Sequence, residues 1–234
     1  MLQPTKKIAK KEIKQDALLT AYANATTFYE ANKKYVTYGV TALVAIVIAV
    51  VVFMNNRKAN NEKAASELGR VFAIYDAAAT DVRQFKIAID GQPERGIMGL
   101  KAIVDNYGST AAGEMARIYL ANAYYATGQY DQALQQYDSF GGSGDLLKAA
   151  AYAGMAMCYE VKHEYSKAAS SYEKAASVVS NTTDTPEYLG AAGRCYGLAG
   201  EKEKAVMLFK RIKKEFPLSN FARDVERYIS QFSA

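Results

Sequence analysis

The sequence predicts an all-α fold: one membrane-spanning helix near the N-terminus, then a solenoid of about 3–4 helical hairpins closed by a C-terminal capping helix. Two observations carry this expectation. Residues 36–54 form an uncharged apolar run, and small and aromatic residues recur at fixed offsets three times between 117 and 209. Charge adds a third. Residues 1–35 hold seven lysines against Glu12, Asp16 and Glu30, whereas 59–234 hold 20 basic and 21 acidic side chains. The arm is thus +4 and the basic excess sits at the N-terminus, which gives no reason to expect nucleic acid as a partner. The expected division is an arm over 1–35, a span over 36–54 and a repeat domain over 55–234.

The arm reads as a helix over 5–34. Leu18, Tyr22, Ala25 and Tyr29 form one stripe at helical spacing, with Ile8 and Ile13 upstream. Three readings stay open: a helix lying on an anionic leaflet, a docking helix for a partner, or a solvated lead-in to the span.

The run "VTYGVTALVAIVIAVVVFM" contains eleven Val, Ile, Leu or Phe residues among nineteen. At ~1.5 Å per residue it spans roughly 28 Å, close to the ~30 Å hydrocarbon core. Insertion is favoured by roughly 3–6 kcal/mol, at about −0.3 to −0.6 kcal/mol per large apolar residue. No small-x-small cleavage pattern follows, so an uncleaved single-pass anchor is expected. Lys33 and Lys34 with five lysines upstream, against Arg57, Lys58 and Lys63 beyond, favour a cytoplasmic N-terminus with the large domain across the bilayer.

In the large domain, Arg117, Leu120, Ala121, Tyr124, Ala133 and Tyr137 set a spacing. Tyr152, Met155, Ala156, Tyr159, Ala168 and Tyr172 repeat it, as do Leu189, Ala192, Gly193, Tyr196, Ala205 and Phe209. Closely crossing helices need small side chains at the crossing and large ones beside it. Gly128 and Gly200 suit helix ends that turn through positive φ. Thr185-Pro186-Glu187 reads as a cap followed by a first-turn proline. An earlier, degenerate unit is expected, with its second helix at 94–107 and its first within 60–80. "DVRQFKIAIDGQPERG" then reads as an inserted loop, and a helix from Ser219 to Phe232 as the cap.

These offsets resemble the tetratricopeptide repeat, whose pattern is aromatic-x2-Leu-Gly-x2-Tyr, Ala-x3-Phe and Pro. Arg117 and His163 depart from it, where an aromatic and a turn glycine are expected. The resemblance implies a right-handed solenoid that binds protein or peptide clients in a concave groove. Candidates to line that groove are Met115, Ile118, Asn122, Tyr125, Met157, Glu160, Val161, Glu187, Arg194 and Leu198. The whole architecture resembles the bacterial ancillary subunit of the Sec translocon. That resemblance implies an inner-membrane protein with periplasmic repeats, working beside the translocon and periplasmic chaperones. A scaffold for one outer-membrane or cell-wall assembly complex is the alternative.

Residues for catalysis are sparse. His163 is the only histidine and falls in a repeat turn, so it reads as a solvated polar residue, without the partners that a His-based triad or a His metal cluster would need. Cys158 and Cys195 lie one repeat apart on helices expected ~8–10 Å apart, too far for a disulfide at roughly 4.4–6.8 Å between Cα atoms. Buried thiols are expected, with a regulatory disulfide as the sharper alternative. "GLAGEKEK" lacks phosphate-loop spacing. "NTT" at Asn181 matches a glycosylation acceptor by pattern, and "GGSG" at 141–144 reads as a flexible break. The expectation is a non-enzyme without metal or cofactor.

Overall fold

The computed structural model describes the backbone of residues 10–233 and the side chains of residues 17–233. Ile8 lies outside the described residues, as does the side chain of Ile13. The chain divides into two units, Met1–Asn56 and Arg57–Ala234. Helix α1 (Lys10–Ala77) supplies the described part of the first and the first helix of the second.

In the first unit no described side chain is buried. The apolar run carries a mean hydropathy of 2.6, and Leu43, Ile46, Val47 and Phe53 are each about half exposed or more. By length and composition this helix can cross a membrane. Its threonine hydroxyls are satisfied within the helix. Thr37 Oγ1 donates to Lys33 O at 2.8 Å and Thr41 Oγ1 to Tyr38 O at 3.0 Å, which removes the cost of bare polar atoms in an apolar medium. The helical path breaks at Asn32 (φ −119°, ψ 18°), just ahead of the run.

The second unit is a stack of helix pairs. Its first helix, from Arg57 to the end of α1, buries Ala64, Leu68 and Val71 at helical spacing. The segment expected to be an inserted loop is ordered instead. It forms α2 (Arg83–Asp90), a two-residue antiparallel hairpin of β1 (Gly91–Gln92) and β2 (Ile97–Met98), and a 3-10 turn at Pro93–Arg95. The reason is apolar spacing: Phe85, Ala88 and Ile89 put three side chains against the core. Gly91 (φ 84°) is required there, since a Cβ would sit 2.4 Å from Gly99 N. The hairpin consumes residues expected to be helical, so α3 covers only Leu100–Tyr107.

Three hairpins follow. They are α4 (Ala111–Ala126) with α5 (Tyr130–Asp138), α6 (Asp145–Val161) with α7 (Tyr165–Val178), and α8 (Asp184–Leu198) with α9 (Lys202–Glu215). At the crossings Ala121, Ala133, Ala156, Ala168 and Ala205 are fully buried, and Gly193, also buried, takes the same place on α8. Glycines here admit whole rings. A Cβ on Gly154 would lie 2.3 Å from the Tyr137 ring, and one on Gly193 would lie 2.8 Å from Phe209. The turns are identical in construction. Gln129 N, Glu164 N and Glu201 N donate to Tyr124 O, Tyr159 O and Tyr196 O at 2.8–2.9 Å. The residue before each donor has positive φ: Gly128 at 77°, His163 at 60° and Gly200 at 81°. The sequence departure at His163 is thus not a departure of the backbone.

Two helix starts differ from expectation. Helix α8 starts with Thr183, not Thr185, at its N-cap, and Thr183 makes no side-chain cap bond; upstream, Asn181 Oδ1 accepts from Thr183 N at 2.9 Å and Asp184 N at 2.6 Å. Thr185 is buried, donating to Val179 O at 2.7 Å. The C-terminal cap is also shorter than Ser219–Phe232. Ser219 Oγ accepts from Ala222 N, a 3-10 turn occupies Phe221–Arg223, and α10 runs Val225–Ser233. Phe221, Tyr228 and Phe232 close the stack over Phe209, with Phe221 on Gly190 and Phe232 on Gly197.

Candidate functional site

Between α1 and α4 the packing changes character. Aromatic rings, not alanines, separate these helices. Phe72 and Tyr75 meet Tyr119 edge-on at 5.4 and 4.9 Å between ring centroids, and Tyr75 meets Phe85 at 5.3 Å. Asn61 Oδ1 accepts from Ala112 N at 2.9 Å, and Arg57 donates to Ser109 O at 3.3 Å. These two bonds fix α1 to the start of α4. Small residues, Ala65 and Gly69 on α1 with Ala111 and Ala112 on α4, leave the space between open. A Cβ on Gly69 would meet nothing within 4 Å. The result is a cleft of about 530 Å³ bordered by Leu68, Phe72, Met115 and Tyr119. Of its polar side chains, Asn61 is engaged by Ala112 N and Tyr119 packs its ring against Phe72 and Tyr75, so the cleft suits an aliphatic or aromatic side chain of a partner.

The sequence-derived residues divide into several groups. Met115 lines this cleft and is 40% exposed. Ile118, expected to line a groove, is 7% exposed and belongs to the core, because α4 is packed on more than one side. Asn122 is half-buried and accepts the Tyr137 hydroxyl at 2.6 Å. Glu160 does the same for Tyr172 at 2.7 Å. Both serve the helix pair rather than a free surface. Tyr125 is half-buried against Tyr130, at 5.4 Å between centroids. Met157 and Val161 are exposed one turn apart on α6, and Arg194 and Leu198 likewise on α8. Glu187 lies elsewhere, in a hollow of about 450 Å³ with Thr183, Glu215 and Leu218 beside the helix connections. Phe72, Gly69 and Tyr119 were missed. Their signal is only the apolar face of the first helix, which says nothing of α4 opposite it.

Burial governs the titratable groups here. Desolvation raises the phenols of Tyr75, Tyr137 and Tyr172 above their ordinary value, and the carboxylate of Glu160 beside Tyr172 adds to it. Cys158 and Cys195 are free and fully buried. Burial pushes their thiols up to about 11 and about 12. Among the described residues no group of three or more His, Cys, Asp or Glu side chains is placed to hold a metal ion.

The family described as tetratricopeptide repeat matches residues 115–142 and 191–219. The first range takes in most of α4 and all of α5, the second most of α8 and all of α9. No curated protein and no solved structure matches the chain. The chain thus contains tetratricopeptide repeats at these residues, and the stacked pairs and shared turn geometry of the second unit are consistent with the same repeat, a module of protein–protein interaction.

Proposed function

We propose that the protein is a non-catalytic adaptor, tethered to a bacterial inner membrane by residues 36–54, whose repeats bind polypeptides or assembly factors in the periplasm. The α1–α4 cleft carries this reading. It is open, apolar and built on rigid helices, and its methionine and aromatic rings adapt to varied side chains. The tether confines the cleft near its clients and raises their effective concentration. A place beside the secretion machinery rests on the architecture alone: a lysine-rich arm, one apolar span and a repeat domain. The non-catalytic reading is supported by His163, exposed in a turn, and by thiols held buried and protonated.

A photo-reactive amino acid at Met115 tests this in cells. Many crosslinked partners support an adaptor for varied clients. One stoichiometric band supports a scaffold for a single complex. Absence of any adduct, in a protein shown to be folded, refutes polypeptide binding at the cleft. Alkaline phosphatase fused after Ala234 tests the topology, and an inactive fusion would place the repeats in the cytoplasm.

A further inference from the structure

We infer that α9 and α10 form a second docking surface, which takes an acidic, amphipathic protein segment. A groove of about 650 Å³ runs between them. Val206, Met207 and Phe232 are apolar parts of its lining, and Lys202, Glu203 and Lys210 edge it.

Register shows that the apolar exposure is not a packing requirement. Met207 is 59% exposed. The residues at the same offset in the preceding hairpins are Ser170 and Gln135, both exposed and polar. The repeat therefore folds without an apolar group there, and α9 alone presents one. Charge is equally local. Helix α9 carries Lys202, Lys204, Lys210, Arg211, Lys213 and Lys214 against Glu203 and Glu215, a net +4. Residues 59–234 hold 20 basic and 21 acidic side chains, so the rest of that stretch holds 14 and 19, a net −5. The equivalent helices differ: α5 carries only Asp131 and Asp138, a net −2, and α7 carries Lys167 and Lys174 against Glu173, a net +1.

Part of this charge is neutralised within the chain. Lys204 pairs with Glu201, Arg211 with Glu215, and Lys213 with Glu226. Lys210 and Lys214 are exposed one turn apart and have no ion-pair partner among the described residues. An apolar floor beside two cations at helical spacing is complementary to a helix carrying carboxylates one turn apart around a single large apolar side chain. An anionic lipid surface would meet the lysines but would not fill a groove between two helices.

The test uses the full-length protein in nanodiscs of zwitterionic lipid, with empty nanodiscs as blank. The probe is a fluorescein-labelled helical peptide of glutamates and alanines bearing one central leucine, and the readout is anisotropy. Lys210→Glu/Lys214→Glu is expected to weaken binding about tenfold, and Met207→Ala about threefold. Lys148→Glu, an exposed change on α6, controls for net charge and for the lysine-rich arm, and is expected to alter affinity less than twofold. A lysine-for-glutamate version of the peptide is expected not to bind. Equal affinity of the wild type and the double variant overturns the proposal. So does capture of phosphatidylglycerol vesicles, lost in the double variant, without peptide binding.

Discussion

Replacing Gly154 by alanine should destabilise the repeat unit even though alanine is the better helix former. A Cβ at this position would lie 2.3–2.6 Å from three carbons of the Tyr137 ring. Ordinary carbon–carbon contact needs about 3.5–4.0 Å, so the ring must move by more than 1 Å. It has little room: Tyr137 is 5% exposed and its hydroxyl is held by Asn122 at 2.6 Å. Overpacking of this kind costs about 2–3 kcal/mol. The gain from replacing glycine inside a helix, about 0.5–1 kcal/mol, offsets part of it. The net expectation is a loss of about 1–2 kcal/mol, or roughly 2–8 °C in Tm for a unit of this size. Gly69→Ala is the matched control. Its Cβ enters open space, so only the helix gain remains and Tm should rise. Thermal unfolding of the detergent-solubilised protein, followed by far-UV circular dichroism, reads both. A Gly154→Ala protein as stable as wild type would refute the notched-packing account. The penalty should also shrink in a Tyr137→Leu background, because the two sites share one contact.

Other expectations follow from single features. His163→Gly should stabilise the protein by about 0.5–1 kcal/mol, because positive φ (60°) strains a β-carbon; loss of the 2.8 Å contact with Tyr165 limits the gain. Urea titration measures it. Thr110→Ala should cost about 1 kcal/mol, since Thr110 Oγ1 is the buried cap of α4, accepting from Gly113 N at 3.0 Å. Cys195 should resist thiol reagents at pH 8 until the unit unfolds. Its folded value near 12 lies above the ordinary 9.0, so the unfolded chain sheds the proton first. Stability should therefore fall as pH rises from about 9 toward 12.

The solenoid was largely legible because its rules are local and periodic. Ala121, Ala133, Ala156, Ala168 and Ala205 recur wherever two helices must cross closely, and that spacing survives in one dimension. Even the exception at His163 kept its place, because the turn is set by the hairpin and not by one residue's preference. The α2 helix was not legible: Gly91, Pro93 and Gly96 dominate the local reading, while Phe85, Ala88 and Ile89 give under two turns of amphipathic signal. The site was read only in part. Spacing along one helix separates a packing face from an outer face, but it does not show which neighbour covers the outer face. Ile118 looks outward on α4 alone and is buried by the stack. Asn122 and Glu160 look like groove polars until Tyr137 and Tyr172 arrive from the partner helices. The cleft joins Phe72 to Met115 and Tyr119 across more than forty residues of sequence, a pairing that no repeat offset encodes.

Filling that cleft tests the central claim most directly. Gly69→Leu projects a side chain into the open space and disturbs no described neighbour within 4 Å of its Cβ. In cells carrying the photo-reactive residue at Met115, this substitution should abolish crosslinking to partners while the melting temperature stays at or above that of the parent protein. Undiminished crosslinking from a folded Gly69→Leu protein would show that partners bind elsewhere and would contradict the account.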